Sequence, residues 1–179
     1  MNNYRSLPQL GLTEAVSQAF KRLNDFKGRS RRSEFWWWML IVLLTQFVVG
    51  LVLPRNLVIQ AAADTLVMLF GLSATARRLH DVGQSAVLLY LSYGAGIVAH
   101  FYAALALGDF MYEYMEMLSY GQPRLSEVES LVMAYGSKMM VLSLIYIVWM
   151  VLSLIVIVMT LMDSRPEANK YGPSPKYIP

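Results

Sequence analysis

Four long apolar segments occupy most of this chain, and they restrict its fold more than any other feature of the sequence. They cover residues 35–53, 57–76, 86–108 and 139–162. Each is close to the ~20 residues that an α-helix needs to cross the ~30 Å hydrocarbon layer of a bilayer. Lipid offers the backbone no hydrogen-bond partner, and the segments lack the alternation of barrel strands, so they are predicted to be helices. The expected fold is all-α: a polytopic membrane protein with a bundle of four transmembrane helices, in a single membrane domain over residues 1–179.

The composition agrees with a membrane location. Hydrophobic residues make up 56% of the chain and charged residues 15%, whereas a soluble domain carries about 25% charge. The absence of cysteine excludes disulfides, thiolate metal sites and a cysteine nucleophile. Residues 1–32 are polar and contain no apolar core of a signal peptide. The first span is therefore expected to act as an uncleaved anchor.

The distribution of basic residues predicts the orientation, because an excess of Lys and Arg near span ends marks the cytoplasmic side. The side expected outside carries only Arg55, Arg124 and Lys138. The other 12 of the 15 Lys and Arg residues share one predicted side: Arg5, Lys21, Arg22, Lys27, Arg29, Arg31, Arg32, Arg77, Arg78, Arg165, Lys170 and Lys176. Both termini are therefore predicted to be cytoplasmic, in the inner membrane. This placement accounts for the net charge of +3 without a nucleic-acid partner.

Three segments flank the spans. Apolar residues at helical spacing in residues 13–27 predict a basic amphipathic helix, lying at the membrane interface or packed against the cytoplasmic ends of the spans. Residues 109–138 form an acidic periplasmic connector, in which a capping box at Ser126–Glu129 predicts a short helix near the outer surface. Its carboxylates are expected to be solvated and to hold no metal. The proline-rich tail, residues 163–179, is predicted to be extended and cytoplasmic, either packed across the basic turns or disordered.

Five arginines lie close to the predicted cytoplasmic ends of the first two spans: Arg29, Arg31, Arg32, Arg77 and Arg78. They can converge on an anionic lipid headgroup or a phosphate, which the planar guanidinium fork suits. Alternatively they set the orientation and extend along the interface, as most juxtamembrane arginines do. Arg77 and Asp81 are four residues apart and are expected to pair if the helix continues beyond the membrane.

Three patterns in the sequence resemble those of a known family. The first pattern contains Phe26, Gly28, Arg29, Arg32, Glu34, Phe35 and Trp36; the second contains Arg77, Arg78, Leu79, His80, Asp81, Gly83 and Ser85; the third is the tail from Asp163 and Ser164 through Asn169, Tyr171 and Gly172. In this order they resemble the bacterial inner-membrane family of domain of unknown function 805. The resemblance implies a small inner-membrane protein without an established biochemical activity.

Two ionisable residues lie inside predicted spans. Asp64 and His100 are both expected ~10 to 12 Å below the outer surface, and a carboxylate in hydrocarbon costs at least ~2.5 kcal/mol. We therefore predict that Asp64 and His100 are partners. The pair can form a proton or cation relay, or a structural contact that fixes helix register; a third reading places Asp64 close enough to the interface to be hydrated.

The sequence carries little support for an enzyme. His80 and His100 fall on opposite predicted sides of the membrane, and the chain contains no zinc-protease motif, nucleophile elbow or phosphate-binding glycine loop. No catalytic residue, cofactor or metal is expected. The preferred interpretation is a non-catalytic membrane component that binds lipids, including anionic lipids, or that binds a membrane-protein partner or further copies of itself. The alternative is a subunit of a small oligomeric transporter or channel that uses Asp64 and His100.

Overall fold

The computed structural model describes residues 4–54 and 56–178, so Arg55 and Pro179, both included in the sequence predictions, lie outside the described residues. Within the described residues the chain forms five helices and one pair of two-residue strands: β1 (Arg5–Ser6), α1 (Leu12–Lys21), α2 (Arg32–Val52), α3 (Leu57–Asp81), α4 (Val87–Ser119), α5 (Leu125–Leu161) and β2 (Tyr177–Ile178). Helices α2 to α5 are each long and apolar enough to cross a membrane. The prediction of an all-helical chain with four such segments is confirmed.

Helix α1 is shorter than the predicted helix over residues 13–27, because it ends at Lys21. The following residues form turns in which the Asp25 carboxylate accepts a hydrogen bond from the Lys27 N–H at 2.9 Å. Gly28 then adopts a φ of +79°, a left-handed conformation that glycine tolerates best. These local bonds, together with the glycine, stop the helix and turn the chain into α2.

Helices α4 and α5 are longer than the predicted spans and take up most of the segment expected to be a connector. In place of a separate short helix, α5 runs without interruption from Leu125 to Leu161. The only break lies at residues 120–124, where Gly121 has a φ of +123° and Pro123 follows. An ion pair between Lys138 and Asp109 at 3.6 Å and a 2.6 Å hydrogen bond from Tyr135 to Glu113 join the two helices. We call residues 109–138 the hairpin.

Each helix packs against the next in the sequence, and α5 also contacts α3. Phe35, Trp38, Val42 and Val67 form part of a core between α2 and α3, where the Trp38 Nε1–H donates to the Phe70 carbonyl at 2.9 Å. Between α4 and α5, Gly96 lies directly against the Trp149 ring. A Cβ at position 96 would lie 2.8 Å from Trp149 Nε1.

The two terminal segments meet at one end of the helices. Strands β1 and β2 pair in antiparallel fashion, with Arg5 opposite Ile178, and the Leu7 N–H donates to the Lys176 carbonyl at 2.8 Å. The same end contains the turn between α3 and α4. We call this end, with residues 4–32, 77–86 and 162–178, the basic end. The tail therefore packs against the rest of the chain, and it is extended only in part, because a bridge between Asn169 and Gly172 closes a turn within it.

Candidate functional site

The centre of the basic end is the carboxylate of Asp81, which is fully buried at the last residue of α3. Its Oδ1 accepts a hydrogen bond from Arg29 Nε at 2.9 Å. Its Oδ2 accepts hydrogen bonds from Arg78 Nη1 and from the hydroxyl of Ser164. A buried carboxylate is tolerated only where donors and opposite charges surround it. Here these groups come from all three sequence patterns of the resemblance, which meet at this point.

Arg29 connects the α1–α2 turn to the tail. Besides Asp81, its guanidinium donates to the carbonyls of Glu167 at 2.8 Å and Gly172 at 3.3 Å. It also donates to the carbonyls of Asp81 and Arg165. Five N–H groups in a rigid fork can satisfy several carbonyls at once, which a lysine cannot do. The irregular tail therefore obtains its hydrogen bonds from a buried side chain.

Arg78 performs a similar role at the end of α5. Its Nε donates to the carbonyl of Thr160 at 3.0 Å, and its Nη2 donates to the carbonyl of Met162. These carbonyls belong to the last turn of α5, where no intrahelical N–H is available to them. A cation also interacts favourably with the negative end of a helix dipole. Arg78 thus caps α5 while neutralising Asp81.

Arg77 does not pair with Asp81, and the predicted contact between these two residues is wrong. Its Nη1 donates to the carbonyls of Arg22, at 2.7 Å, and Asp25, and its Nη2 lies 3.5 Å from Glu34 Oε1. Successive helix residues point ~100° apart, so Arg77 faces the α1–α2 turn while Arg78 faces the carboxylate. Asp81 therefore pairs at i−3 rather than at i−4.

His80 holds the tail by stacking. Its imidazole lies parallel to the Tyr171 ring, with centroids 3.7 Å apart and an interplanar angle of 7°. Its Nδ1 donates to the Gly28 carbonyl at 3.2 Å, which requires the proton on Nδ1. The Asn169 amide donates to the His80 carbonyl at 2.9 Å. The histidine of the second pattern therefore serves as a contact point for the other two.

The five arginines predicted to bind a headgroup are not arranged around a common ligand site. Arg29, Arg77 and Arg78 are buried and donate to protein groups, and Arg31 is buried with its guanidinium directed at the carbonyls of Leu7 and Pro8. Buried backbone carbonyls in turns and tails need donors, and these arginines supply them. Of the five, Arg32 alone is exposed, with a side chain 46% accessible that contacts Asp163 at 3.1 Å.

The remaining residues of the family patterns divide into core and surface. We call the hydrogen bonds that join Asp81 to Arg29, Arg78 and Ser164 the Asp81 network. Phe35 and Leu79 are buried in the hydrophobic cores next to it, and Glu34 is buried beside Arg77 and Arg22. Phe26, Trp36 and Ser85 are exposed. Gly83 has a φ of +82°, and a Cβ there would lie 2.9 Å from the Arg165 guanidinium. This glycine thus permits both the turn and the close approach of the tail.

A cavity of about 420 Å³ lies beside the network, at the first turn of α2. It is lined by Leu7, Gln9, Arg31, Arg32, Ser33, Trp36, Trp37, Leu161 and Lys176. It therefore combines three cations with two exposed tryptophans next to an apolar helix, the composition expected where a phosphate lies at a membrane interface. Lys176 was not among the predicted site residues, because only the pairing of β1 with β2 brings it here.

Asp163 moderates the charge of this cavity. It contacts Lys176 Nζ at 2.7 Å as well as Arg32. Partial burial by itself would raise the pKa of Asp163, but hydrogen bonds from Lys176 and the Ser164 N–H and the charge of Arg32 outweigh it and lower the pKa below 3.8. With Asp163 ionised, Arg31, Arg32 and Lys176 leave a positive excess. An anion can therefore be accommodated.

Asp64 and His100 line one cavity of about 120 Å³, together with Gln60 and Tyr146. Both residues are described by the structure, and no hydrogen bond or ion pair joins them, so the predicted direct pair is wrong. Asp64 Oδ1 accepts a hydrogen bond from the amide of Gln46 on α2. His100 packs edge-on against Trp149 at 5.3 Å, and its Nδ1 has no hydrogen-bond partner among the described residues. Gln46 offered no charge or periodicity from which this role could be predicted.

Four apolar helices and a basic end define the class of this protein: a chain with the features of a multi-pass membrane protein. The model of the family described as "Protein of unknown function (DUF805)" matches residues 23–173, and the chain belongs to this family. The match covers all three patterns that meet at Asp81 and excludes β1, α1 and β2. No curated protein and no solved structure matches the chain.

Proposed function

We propose that the protein is a non-catalytic component of the bacterial inner membrane that binds a phospholipid through its phosphate group. In this proposal α2 to α5 cross the membrane as a four-helix bundle, and both termini are cytoplasmic. The concentration of Lys and Arg at the basic end supports this orientation. Helix α1, whose exposed Phe20 and Leu12 lie at the same end, rests at the interface of the membrane.

The observation that carries the proposal is the cavity at the first turn of α2, where Arg31, Arg32 and Lys176 surround a space bordered by Trp36 and Trp37. Tryptophan at the end of an apolar helix marks the level of the headgroups. A phosphate at this level would meet cations, while the acyl chains would pass along the exposed apolar surface of α2. The buried Arg29 and Arg78 contribute indirectly to binding. Together with Asp81 they hold the tail, which carries Lys176.

Native mass spectrometry of the protein gently extracted from its membrane tests the proposal. We expect phospholipid adducts on the protein, and we expect the double variant Arg32→Gln, Lys176→Gln to retain roughly 30-fold less phospholipid, since each of the two cations near an anionic surface contributes about 1 kcal/mol. Lys21→Gln is the control, because it removes one exposed cation of the basic end that does not line the cavity.

Equal phospholipid retention by the double variant and the Lys21→Gln control would contradict the proposal. Competition with inorganic phosphate separates two sources of the same chemistry. A lipid adduct that inorganic phosphate does not displace supports a lipid site, whereas binding of phosphate alone, without acyl chains, would contradict it.

A second candidate function is a small oligomeric transporter or channel subunit. One observation favours it: Asp64, Gln60 and His100 line a cavity between α3, α4 and α5. The cavity has room for only a few water molecules, so this candidate needs a wider path formed in an oligomer. Proton or cation flux into liposomes that is abolished by Asp64→Asn would support it, and flux equal to that of empty liposomes would contradict it.

A further inference from the structure

A second polar cavity borders the first one at the basic end. It has a volume of about 480 Å³ and lies between the chain before α1, helix α1 and the first turn of α2. Its polar lining residues are Gln9, Glu14, Gln18, Arg22, Arg31 and Glu34. We call this space the α1 cavity, and we call the space of about 420 Å³ beside Trp36 and Trp37 the phosphate cavity. Leu7, Gln9 and Arg31 line both, so the two cavities share a border.

The α1 cavity lies farther from the apolar part of the helices than the phosphate cavity does. Along α2 it reaches only Arg31 and Glu34, whereas the phosphate cavity extends to Trp37 and to Leu161 of α5. In a phospholipid the alcohol of the headgroup likewise lies beyond the phosphate, on the side away from the acyl chains. The order of the two cavities along the protein therefore matches the order of phosphate and alcohol along a lipid.

The charges around the α1 cavity balance. Its lining contains two cations, Arg22 and Arg31, and two carboxylates, Glu14 and Glu34. An ammonium beside Glu34 would also meet Arg22, whose Nη1 lies 3.9 Å from Glu34 Oε1, and a second anion would meet both carboxylates. Like charges this close repel each other. Two glutamine amides in the lining can both donate and accept hydrogen bonds. The α1 cavity therefore suits uncharged groups that form hydrogen bonds, such as hydroxyls.

Glu34 is a buried acceptor at the wall of the α1 cavity. Its side chain is 3% exposed, and its Oε1 lies 3.5 Å from Arg77 Nη2. This oxygen nevertheless accepts no hydrogen bond from the described residues. Buried polar groups in proteins are nearly always hydrogen-bonded, and a carboxylate can accept several hydrogen bonds. Because Glu34 lines the α1 cavity, a hydroxyl bound there can donate to its carboxylate.

We propose that the α1 cavity binds the headgroup alcohol of a phospholipid, and that this alcohol is uncharged and carries hydroxyls, as in phosphatidylglycerol. The phosphate lies in the phosphate cavity beside Arg32 and Lys176, and a hydroxyl of the glycerol reaches across the shared border to the Glu34 carboxylate. The selection rests on the lipid binding proposed above. It distinguishes one phospholipid from another, which recognition of the phosphate common to all of them cannot do.

Lipids that share one phosphodiester and differ in the alcohol test this selection. The purified protein is mixed with equal amounts of phosphatidylglycerol, phosphatidylethanol and phosphatidylethanolamine with identical acyl chains, and native mass spectrometry measures the adducts. Phosphatidylethanol has the same negative charge as phosphatidylglycerol but no hydroxyl, and phosphatidylethanolamine adds an ammonium. We expect phosphatidylglycerol adducts to exceed each of the others by about tenfold, the effect of one hydrogen bond to a charged group.

Two variants locate the selection in the α1 cavity. Gln18→Ala removes an exposed amide of α1 that lines the cavity and should lower the preference for phosphatidylglycerol over phosphatidylethanol by roughly threefold. Ser17→Ala is the matched control, because Ser17 is exposed on the same helix and does not line the α1 cavity. Glu34→Gln replaces a charged acceptor with a neutral one and should lower the preference by about fivefold. Glu34 also contacts the buried Arg77, so the first two variants provide a test that does not depend on the folding of Glu34→Gln.

Three outcomes would overturn the inference. Equal adducts of phosphatidylglycerol and phosphatidylethanol, both reduced by the double variant Arg32→Gln, Lys176→Gln, would exclude the selection and leave the phosphate site intact. A preference for phosphatidylethanolamine would show that the headgroup site holds an ammonium. A preference for phosphatidylglycerol that Gln18→Ala lowers no more than Ser17→Ala does would place the selection outside the α1 cavity. The absence of adducts with all three lipids would contradict both this selection and the proposed function.

Discussion

Helix α3 carries two carboxylates, one buried and one half-buried, and their surroundings differ. Asp81 accepts hydrogen bonds from Arg29, Arg78 and Ser164, whereas Asp64 accepts one from the Gln46 amide. The first carboxylate is compensated by two cations, whereas no cation among the described residues bonds to the second. The difference indicates that Asp81 organises the fold of the basic end, while the structure around Asp64 does not depend on its charge.

The largest effect is expected from Asp81→Asn. This substitution leaves Arg29 and Arg78 buried without their counter-charge, and breaking a buried ion pair by removing one partner costs about 3–5 kcal/mol. We expect a clear fall in the thermal unfolding midpoint of the detergent-purified protein, together with poor accumulation in cells. Asp81→Asn protein with a normal unfolding midpoint would show that the network does not hold the basic end together.

Arg29→Lys is expected to have the next largest effect. Lysine keeps the positive charge but cannot reach Asp81 and the carbonyls of Glu167 and Gly172 together, and hydrogen bonds to charged groups contribute about 1.5–3 kcal/mol each. The tail should detach while the helices remain folded. Limited proteolysis measures this as faster cleavage within residues 162–178.

Arg32→Lys is the matched control for Arg29→Lys, because Arg32 is exposed and makes one ion pair, with Asp163. Its rate of tail cleavage should stay near that of the unmodified protein. Similar cleavage rates for both variants would contradict the role assigned to Arg29.

The residues around Asp81 show which features of the fold could be predicted from the sequence and which could not. The lengths of the apolar segments predicted four helices, and the Lys and Arg pattern placed Arg29, Arg78 and the tail on one side. The pairing itself was not predictable from spacing. Asp81 has Arg77 at i−4 and Arg78 at i−3, of which only Arg78 is a donor, and its other two donors, Arg29 and Ser164, lie 52 and 83 residues away. The direction of each side chain depends on packing around a helix end that is buried on all sides.

Other features lacked any local signal. Helices α4 and α5 continue through residues 109–119 and 125–138 because the chain has no strong helix stop before Gly121 and Pro123. A change from apolar to acidic composition does not end a helix. Lys176 reaches the cavity through a two-residue strand pairing, which is too short to produce a periodic pattern. Gln46, the partner of Asp64, is one polar residue in an apolar span.

Tyr171→Ala tests how much the tail contributes to the stability of the structure around Asp81. It removes the ring that stacks on His80, and aromatic pairs contribute about 0.5–1.5 kcal/mol beyond their buried area. We expect a modest fall in the unfolding midpoint and moderately faster tail cleavage. Tyr171→Phe retains the ring and should behave as the unmodified protein. Equal losses in both variants would assign the effect to the hydroxyl and not to stacking.

Asp64→Asn is expected to change stability by less than about 1 kcal/mol, since asparagine keeps an acceptor for the Gln46 amide. The loss of a charge from an apolar segment is itself favourable. The unfolding midpoint should be equal to or slightly above that of the unmodified protein. A loss as large as that of Asp81→Asn would show that Asp64 has the same structural role and would remove the distinction between the two carboxylates.

The smallest effect concerns Asp163, at the exposed edge of the Asp81 network. Its pKa is lowered below 3.8: burial acts in the opposite direction, and the Lys176 hydrogen bond, the Ser164 N–H and the charge of Arg32 outweigh it. A lowered pKa means that the ionised form stabilises the fold. The contribution is complete above the unfolded-state pKa and disappears as pH falls through the folded-state pKa.

The difference in unfolding midpoint between the unmodified protein and Asp163→Asn should therefore be present at neutral pH and vanish in strong acid. In a Lys176→Gln background the difference should be smaller and should vanish at a higher pH, because without the Lys176 hydrogen bond the folded-state pKa of Asp163 lies closer to its unfolded-state pKa. A difference that does not change with pH would show that Asp163 stabilises the tail without its charge. Charge pairing would then stabilise the fold at the buried Asp81 but not at Asp163 beside the cavity.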